Sequence, residues 1–164
     1  MQRQIIVRLH NTFSKKIPSV SKISDDSELK KDCDYISPAD RVSNIRQIRY
    51  GRRSDETAEE MTLRLYASEL HEWNHRHWQK QNSSYSSLKQ QLLDEIEEND
   101  IEDEQEIERI MEEFYRTYLL SNKENFNRYS KEWRNANIKL IYLSLRAKKS
   151  RASKKLWDSV AFMR

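Results

Sequence analysis

The sequence predicts an all-α protein: a small bundle of about four amphipathic helices, an extended N-terminal arm and, before that arm, a disordered presequence. The 164 residues include one Gly and two Pro, whereas tight turns and β-hairpins depend on glycine for positive φ. Charged residues make up 35% of the chain and hydrophobic residues 36%, a balance that favours helices sharing narrow apolar stripes. The length suits one domain, which we place at residues 34–160.

Residues 1–24 have the composition of an import signal. They contain no acidic residue, five basic residues and four serines, which is typical of a mitochondrial transit peptide. We predict a transit peptide at residues 1–30; the alternative is a disordered basic tail. Because five of the 30 basic residues and none of the 27 acidic ones lie in residues 1–24, the rest of the chain carries a net charge of about −2. The basic isoelectric point is therefore no argument for nucleic acid binding, and no nucleic acid partner is expected.

Cysteine content and hydropathy limit the compartment and the topology. Cys33 is the only cysteine, which excludes an internal disulfide and suits a reducing compartment such as the cytosol or the mitochondrial matrix. The longest wholly apolar run covers residues 140–143, and a membrane span needs roughly 20 apolar residues. We expect no segment that crosses a bilayer.

The first elements follow from turn and capping signals. Residues 34–50 show no helical period and contain Ser37 followed by Pro38, so we expect an extended arm packed on the bundle. Thr57 and Glu60 form a capping box at the start of the first helix. This helix should end near Gln81, and its apolar stripe comprises Leu63, Ala67, Leu70, Trp73 and His77.

The middle of the chain is expected to hold two more helices. Residues 82–87 (NSSYSS) are rich in capping side chains, which predicts a turn and a new helix start. Residues 94–113 contain twelve acids and one base, so we expect a solvated loop around Asn99 that leads into the next helix. The two apolar stripes are Tyr85, Leu88, Leu92 and Ile96, followed by Ile107, Ile110 or Met111, Phe114 and Tyr118.

The last helix has the strongest periodic signal. Its apolar residues alternate steps of three and four, a spacing that forms a seam for a partner helix. A second stripe widens the apolar surface in the middle of the helix, so this segment is either wrapped by neighbours or laid on an apolar surface. The first stripe is Phe126, Tyr129, Trp133, Ala136, Leu140, Leu143 and Ala147, and the second is Ile138, Ile141 or Tyr142, and Leu145.

Residues 71–75 spell H-E-x-x-H, the pattern of zinc metalloproteases. Histidines four apart on a helix share a face and can chelate zinc. The context argues against catalysis, because we find no strand to align a substrate and the third-ligand candidates Glu95, Glu97 and Glu98 lie in a generally acidic run. We expect neither an enzyme nor a bound metal, with His71 and His75 as weak candidates for a metal or a haem contact, and we expect both to be surface or boundary residues.

Three blocks of residues together resemble one mitochondrial family. In the arm, P-x-D-x-x-S-N-x-R is matched by Pro38, Asp40, Ser43, Asn44 and Arg46. E-W-N-x3-W-x2-Q-N is matched by Glu72, Trp73, Asn74, Trp78, Gln81 and Asn82. The third block is Phe114 and Tyr115 with Leu119, followed by Tyr129, Trp133 and Asn137. On these residues the chain resembles the cytochrome c oxidase assembly factor 8 family, also called apoptogenic protein 1. The histidines around the second block and the acidic stretch of residues 94–108 depart from the family pattern.

The resemblance implies a non-catalytic factor for cytochrome c oxidase (complex IV) assembly, on the matrix side of the mitochondrial inner membrane, with a link to apoptosis. The implied partners are oxidase subunits or assembly intermediates, and no cofactor is implied. From the residues themselves, Asn74 and Asn82 could hold the arm at Ser43 and Asn44 through amide hydrogen bonds, and each buried tryptophan needs a partner for its indole N–H.

Basic residues at the end of the chain suggest a surface for peripheral membrane contact. Matrix-facing membrane is anionic, and each basic residue near it contributes about 1 kcal/mol. The candidates are Arg146, Lys148, Lys149, Arg151, Lys154 and Lys155. A solvated basic face that complements the acidic stretch is the alternative structural interpretation. The competing functions are an RNA or ribosome binder of the matrix, which would use the same residues, and the zinc hydrolase.

Overall fold

The computed structural model describes residues 32–162, which contain three helices and one β-hairpin. The helices are α1 (Ala58–Glu98), α2 (Glu104–Ser121) and α3 (Lys123–Phe162), and the strands are β1 (Tyr35–Ala39) and β2 (Arg46–Arg49). The predicted transit peptide at residues 1–30 lies outside the described residues. The fold is mostly helical as predicted, but the described residues have three helices where about four were expected, and the arm is a hairpin.

The prediction of a break at residues 82–87 is wrong. Helix α1 runs through this segment without interruption for 41 residues, a length of about 60 Å. Serine disfavours a helix interior by only about 0.5 kcal/mol relative to alanine, and the segment contains no Pro or Gly to stop the helix. Tyr85, in the middle of the segment, packs on Phe114 and Tyr118 of α2. These tertiary contacts outweigh the weak local preference for a turn.

The arm folds back on itself as an antiparallel hairpin. Tyr35 pairs with Arg49 and Ile36 with Ile48, and a β-bulge follows on β1. Pro38 has no N–H to donate, and at this point the Ser37 hydroxyl accepts the N–H of Gln47 at 3.0 Å. The bulge therefore accommodates the proline, and a side chain supplies the acceptor.

A turn without glycine connects the two strands. Asp40 Oδ1 accepts the N–H groups of Val42 and Ser43 at 3.0 and 2.8 Å. Asn44 adopts a φ of 58°, a conformation that asparagine tolerates better than most residues. The sequence prediction missed the hairpin because it required glycine for such a turn, whereas aspartate and asparagine perform the same role here.

The single glycine serves close packing instead. A Cβ at Gly51 would come within 2.6 Å of backbone atoms of Cys33, so no other residue fits without displacement of the backbone. The Gly51 N–H donates to Asp34 Oδ1 at 2.8 Å. The chain entering β1 and the chain leaving β2 are held together at this point.

Helix α1 forms one layer, and α2 and α3, which follow one another along α1, form the second. The C-terminal half of α1 contacts α2, and its N-terminal half contacts α3. The most buried apolar residues lie along these two contacts, at Ile96, Ile107, Tyr118, Leu143 and Ala147. Among the described residues, no side chain is completely buried, and no helix is both long and apolar enough to cross a membrane.

The continuity of α1 can be tested at its serines. Ser84→Ala combined with Ser87→Ala replaces two exposed residues inside the helix. We expect the free energy of unfolding to rise by about 0.5 kcal/mol per site, because alanine has the higher helix propensity. The measurement is urea unfolding followed by circular dichroism.

A true helix start provides the control. Thr57 is the N-cap of α1 and accepts the N–H of Glu60, so Thr57→Ala should lower the free energy of unfolding by about 1 kcal/mol. A loss of stability in the double serine variant would mean that residues 82–87 cap a separate helix.

Candidate functional site

Tyr129 of α3 inserts into a cluster of polar and aromatic side chains on α1. Its hydroxyl accepts the indole N–H of Trp78 at 2.8 Å and donates to Asn74 Oδ1 at 2.6 Å. Its ring stacks on His77, with centroids 4.0 Å apart, and on Trp73, with centroids 5.3 Å apart. The hydroxyl of Tyr129 therefore has both a donor and an acceptor, and aromatic rings of α1 pack against the Tyr129 ring.

This cluster brings together two of the sequence blocks. Trp73, Asn74 and Trp78 come from the E-W-N-x3-W block and Tyr129 comes from the third block. Residues of the two blocks therefore join α1 to α3. The expectation that an indole N–H needs a partner is confirmed at Trp78. Trp133, by contrast, is 45% exposed, and Asn137 donates to the Trp133 carbonyl within the same helix.

The hairpin docks on α1 beside this cluster. Asn82 Nδ2 donates to the carbonyl of Val42 at 2.7 Å, so one of the two amides expected to hold the arm does so. Asn74 holds Tyr129 instead. His75 lies under the hairpin loop, 8% exposed, with Nε2 3.8 Å from Asp40 Oδ1. The expectation that His75 is a surface or boundary residue is wrong, because the arm folds back over it and buries it.

Asp40 stabilises the hairpin loop as a carboxylate. The N–H groups of Ser43 and Val42, together with nearby His75, hold the pKa of Asp40 below its ordinary value. The Ser43 side chain is almost fully buried, and its hydroxyl accepts the Ile45 N–H at 3.2 Å. The residues of the first sequence block therefore build the turn that rests on α1.

The H-E-x-x-H residues do not converge on a metal site. Glu72 is exposed and forms an ion pair with Arg76 at 2.9 Å, so its carboxylate faces solvent. The third-ligand candidates, residues 95–98, lie at the far end of α1. Within the part of the chain that the structure describes, no three His, Cys, Asp or Glu side chains are grouped to hold a metal ion.

A second aromatic cluster joins α1 to α2. Tyr85 stacks near Phe114 and Tyr115 and meets Tyr118 edge on, with centroids 5.1 Å apart. The Gln81 amide donates to the hydroxyl of Tyr118. Burial raises the pKa of both Tyr85 and Tyr118, so these phenols stay neutral. Gln81, Phe114 and Tyr115, which the sequence blocks singled out, thus contribute to a second joint.

An ionic cluster joins the start of α1 to the end of α3. Arg151 binds both carboxylate oxygens of Glu60, at 2.8 and 2.6 Å, and Asp55 Oδ2 at 2.5 Å. Lys154 donates to the carbonyl of Asp55 at 2.8 Å. The Arg151 guanidinium holds the pKa of Asp55 below its ordinary value. Sequence reasoning missed this cluster, because Asp55 and Arg151 are far apart in the chain.

The predicted basic surface is therefore divided. Arg151 and Lys154 point toward the start of α1, and Arg146 lies 3.8 Å from Glu59 and 5.9 Å from the ring of Tyr142. The other three predicted residues, Lys148, Lys149 and Lys155, are exposed.

These observations define a class: a helical scaffold protein in which the distinctive aromatic and amide side chains join three helices and a hairpin. The described residues place those side chains between elements, and they leave large parts of α3 exposed.

The chain belongs to the cytochrome c oxidase assembly factor 8 family, whose model matches residues 33–153. A mitochondrial COA8 family protein of Caenorhabditis elegans is 30% identical over 135 residues, which covers 78% of this chain and 90% of the relative. Cytochrome c oxidase assembly factor 8 of Mus musculus is 27% identical over 121 residues, covering 66% of this chain and 61% of that protein. The Homo sapiens protein of the same name is 27% identical over 122 residues, covering 69% and 59%.

The family resemblance inferred from the three sequence blocks is confirmed. Membership of the family implies a role as a cytochrome c oxidase assembly factor. No solved structure matches the chain.

The Tyr129 joint can be tested by removing one oxygen. Tyr129→Phe leaves the Trp78 N–H and the Asn74 amide without their shared partner, and we expect the free energy of unfolding to fall by roughly 2 kcal/mol. The matched control is Tyr142→Phe on the same helix, where the tyrosine is 58% exposed and no loss is expected. Equal stability of both variants in urea unfolding would contradict the role of the hydroxyl.

The burial of His77 predicts a pH dependence of stability. Burial is the main cause that lowers the pKa of His77, and Arg128 and Lys80 add to it while Glu132 opposes it. Below the ordinary histidine pKa the unfolded chain takes up a proton that the folded chain does not, so folding stability falls as the pH drops from about 7 to 5. His77→Phe keeps the stack on Tyr129 and removes the titrating group.

We therefore expect the wild-type protein to lose more stability than His77→Phe between these two pH values, measured by urea unfolding at each. Parallel losses in the two proteins would show that His77 does not contribute.

Proposed function

We propose that this chain is a non-catalytic assembly factor that binds a cytochrome c oxidase subunit or assembly intermediate on the matrix side of the mitochondrial inner membrane. One observation carries the proposal: the family match spans residues 33–153, which include the hairpin, both aromatic clusters and, from the ionic cluster, Asp55, Glu60 and Arg151. The names of the nematode relatives describe those proteins as mitochondrial. The composition of residues 1–24 supports the same compartment.

The internal role of the distinctive residues supports a binding function. The hydroxyl of Tyr129 forms hydrogen bonds with Trp78 and Asn74, and Asn82 donates a hydrogen bond to the hairpin. Side chains engaged in this way stiffen a scaffold, and a stiff scaffold presents its outer surfaces without the entropic cost of ordering them on binding. The partner then contacts exposed side chains rather than the clusters.

The end of α3 suits peripheral contact with an anionic membrane. Arg151 meets Glu60 at the first turn of α1, so residues 156–162 continue beyond that turn. Leu156, Trp157 and Val160 are all more than half exposed there, next to the exposed Lys155. Tryptophan favours the membrane interface, and each lysine near an anionic surface contributes about 1 kcal/mol.

The distribution of acidic residues fits this orientation. Residues 94–113, with twelve acids and one base, lie at the opposite end of α1, about 60 Å away along the helix. Repulsion from an anionic surface keeps that end of the molecule in solution. The basic end of the chain would therefore contact the membrane, with the acidic end farthest from it.

Loss of the chain tests the proposed function directly. In cells from which the gene has been deleted, we expect the level of assembled oxidase on native gels to fall to a small fraction of normal, and re-expression of the full chain should restore it. The level of another respiratory complex serves as the control. Normal oxidase in the deleted cells would refute the assembly role.

The division of the basic residues gives a separate prediction. Lys148→Gln with Lys155→Gln should weaken sedimentation with vesicles of phosphatidylcholine and cardiolipin severalfold without a change in the thermal midpoint, because both lysines are exposed. Arg151→Gln should lower the thermal midpoint, because it breaks the contacts to Glu60 and Asp55. Vesicle binding that is unaffected by the lysine changes would contradict membrane contact through these residues.

A further inference from the structure

Helix α3 has two apolar faces, and only one of them packs inside the molecule. Leu143 and Ala147 face α1 and are 8% and 4% exposed. Ile138, Ile141, Tyr142 and Leu145 are 60%, 61%, 58% and 62% exposed. Their spacing of three and four residues places these four side chains together on the opposite side of the helix. We call this set the outer seam.

The outer seam has the repeat of a helix-packing surface. A repeat that begins in the outer seam continues along α3: positions 138, 142, 145, 149, 152 and 156 alternate steps of four and three, and they carry Ile, Tyr, Leu, Lys, Ala and Leu. A seven-residue repeat of this kind accepts the side chains of one further helix. Four large apolar side chains that stay exposed in one stripe are unusual for a surface without a partner.

Charge restricts what can occupy the outer seam. Basic residues flank it on both sides: Lys139 and Arg146 on one edge, and Arg134, Lys148 and Lys155 on the other. From Trp133 to the end of the chain there are nine basic residues and a single acid, Asp158. A second α3 would bring the same positive charge against this surface, which disfavours a pair of two α3 helices.

Lys149 distinguishes a protein helix from a bilayer. It is exposed and continues the line of Tyr142 and Leu145, in the middle of the stripe rather than on its edge. In an apolar bilayer face a central ammonium is costly, whereas a partner helix can place a carboxylate opposite it. One polar residue at such a seam position also sets the register of a helix pair.

We propose that the outer seam binds one amphipathic helix of another protein, with an apolar stripe flanked by Asp and Glu and an acidic residue opposite Lys149. Arg146 lies over the ring of Tyr142 at 5.9 Å and 3.8 Å from Glu59, and 53% of its side chain is exposed beside the seam. The inference rests on the proposed function in that the partner is met in mitochondria, but the surface and its chemistry are argued from α3 alone.

The test places a photo-crosslinking amino acid at position 141 of the full chain in cells, and the crosslinked residues are identified by mass spectrometry. We expect crosslinks to one segment of another protein whose apolar residues recur at three and four and whose flanks are acidic. Leu145→Glu and Lys149→Glu should each reduce the crosslink yield about tenfold or more. Leu120→Glu, at a 63% exposed leucine of α2, is the control and should leave the yield unchanged.

Three results would overturn the proposal: crosslinks only to lipid, crosslinks to RNA or a second copy of the chain, or a yield that Leu145→Glu does not reduce. Circular dichroism shows whether each variant keeps its helix content, and since Leu145 and Lys149 are both exposed we expect no loss.

Re-expression of Leu145→Glu in deleted cells separates this inference from the assembly role. Normal oxidase with this variant, where deletion lowers oxidase, would overturn the seam proposal and leave the assembly role intact. Normal oxidase after deletion would refute the assembly role, while the crosslinked helix would still support the seam.

Discussion

The arrangement of the two longest helices, α1 and α3, depends on the contacts of the Tyr129 phenol. Its hydroxyl accepts from Trp78 and donates to Asn74, and its ring stacks on His77. In a molecule without a completely buried side chain among its described residues, apolar burial alone contributes less than in a compact domain. The directional hydrogen bonds of Tyr129 with Trp78 and Asn74 therefore determine how α1 and α3 align.

A thin scaffold has a direct consequence for function. Two layers of helices cannot cover both sides of α3, so one apolar stripe packs on α1 while another stays at the surface. The same geometry suits an assembly factor, which must bind a partner and later release it. In the proposed complex, the partner helix contributes the layer that the chain itself lacks.

The basic residues of α3 are also divided: some bind α1, and others face solvent. Arg151 and Lys154 bind the start of α1, whereas Lys148 and Lys155 face outward. All four come from one basic run, and their helical positions decide which side each one takes. The acidic residues 94–113 gather at the other end of α1, so the molecule has two ends of opposite charge.

Patterns in the sequence were enough to predict the helical class, the capping box at Thr57 and Glu60, the repeat of α3 and the family, because these depend on neighbours a few residues apart or on the order of rare residues. Long-range packing is the reason that α1 continues through residues 82–87, that the arm becomes a hairpin covering His75, and that Arg151 turns inward. Each of these outcomes depends on a partner distant in the chain, and local patterns carry no information about the distance between such residues in space.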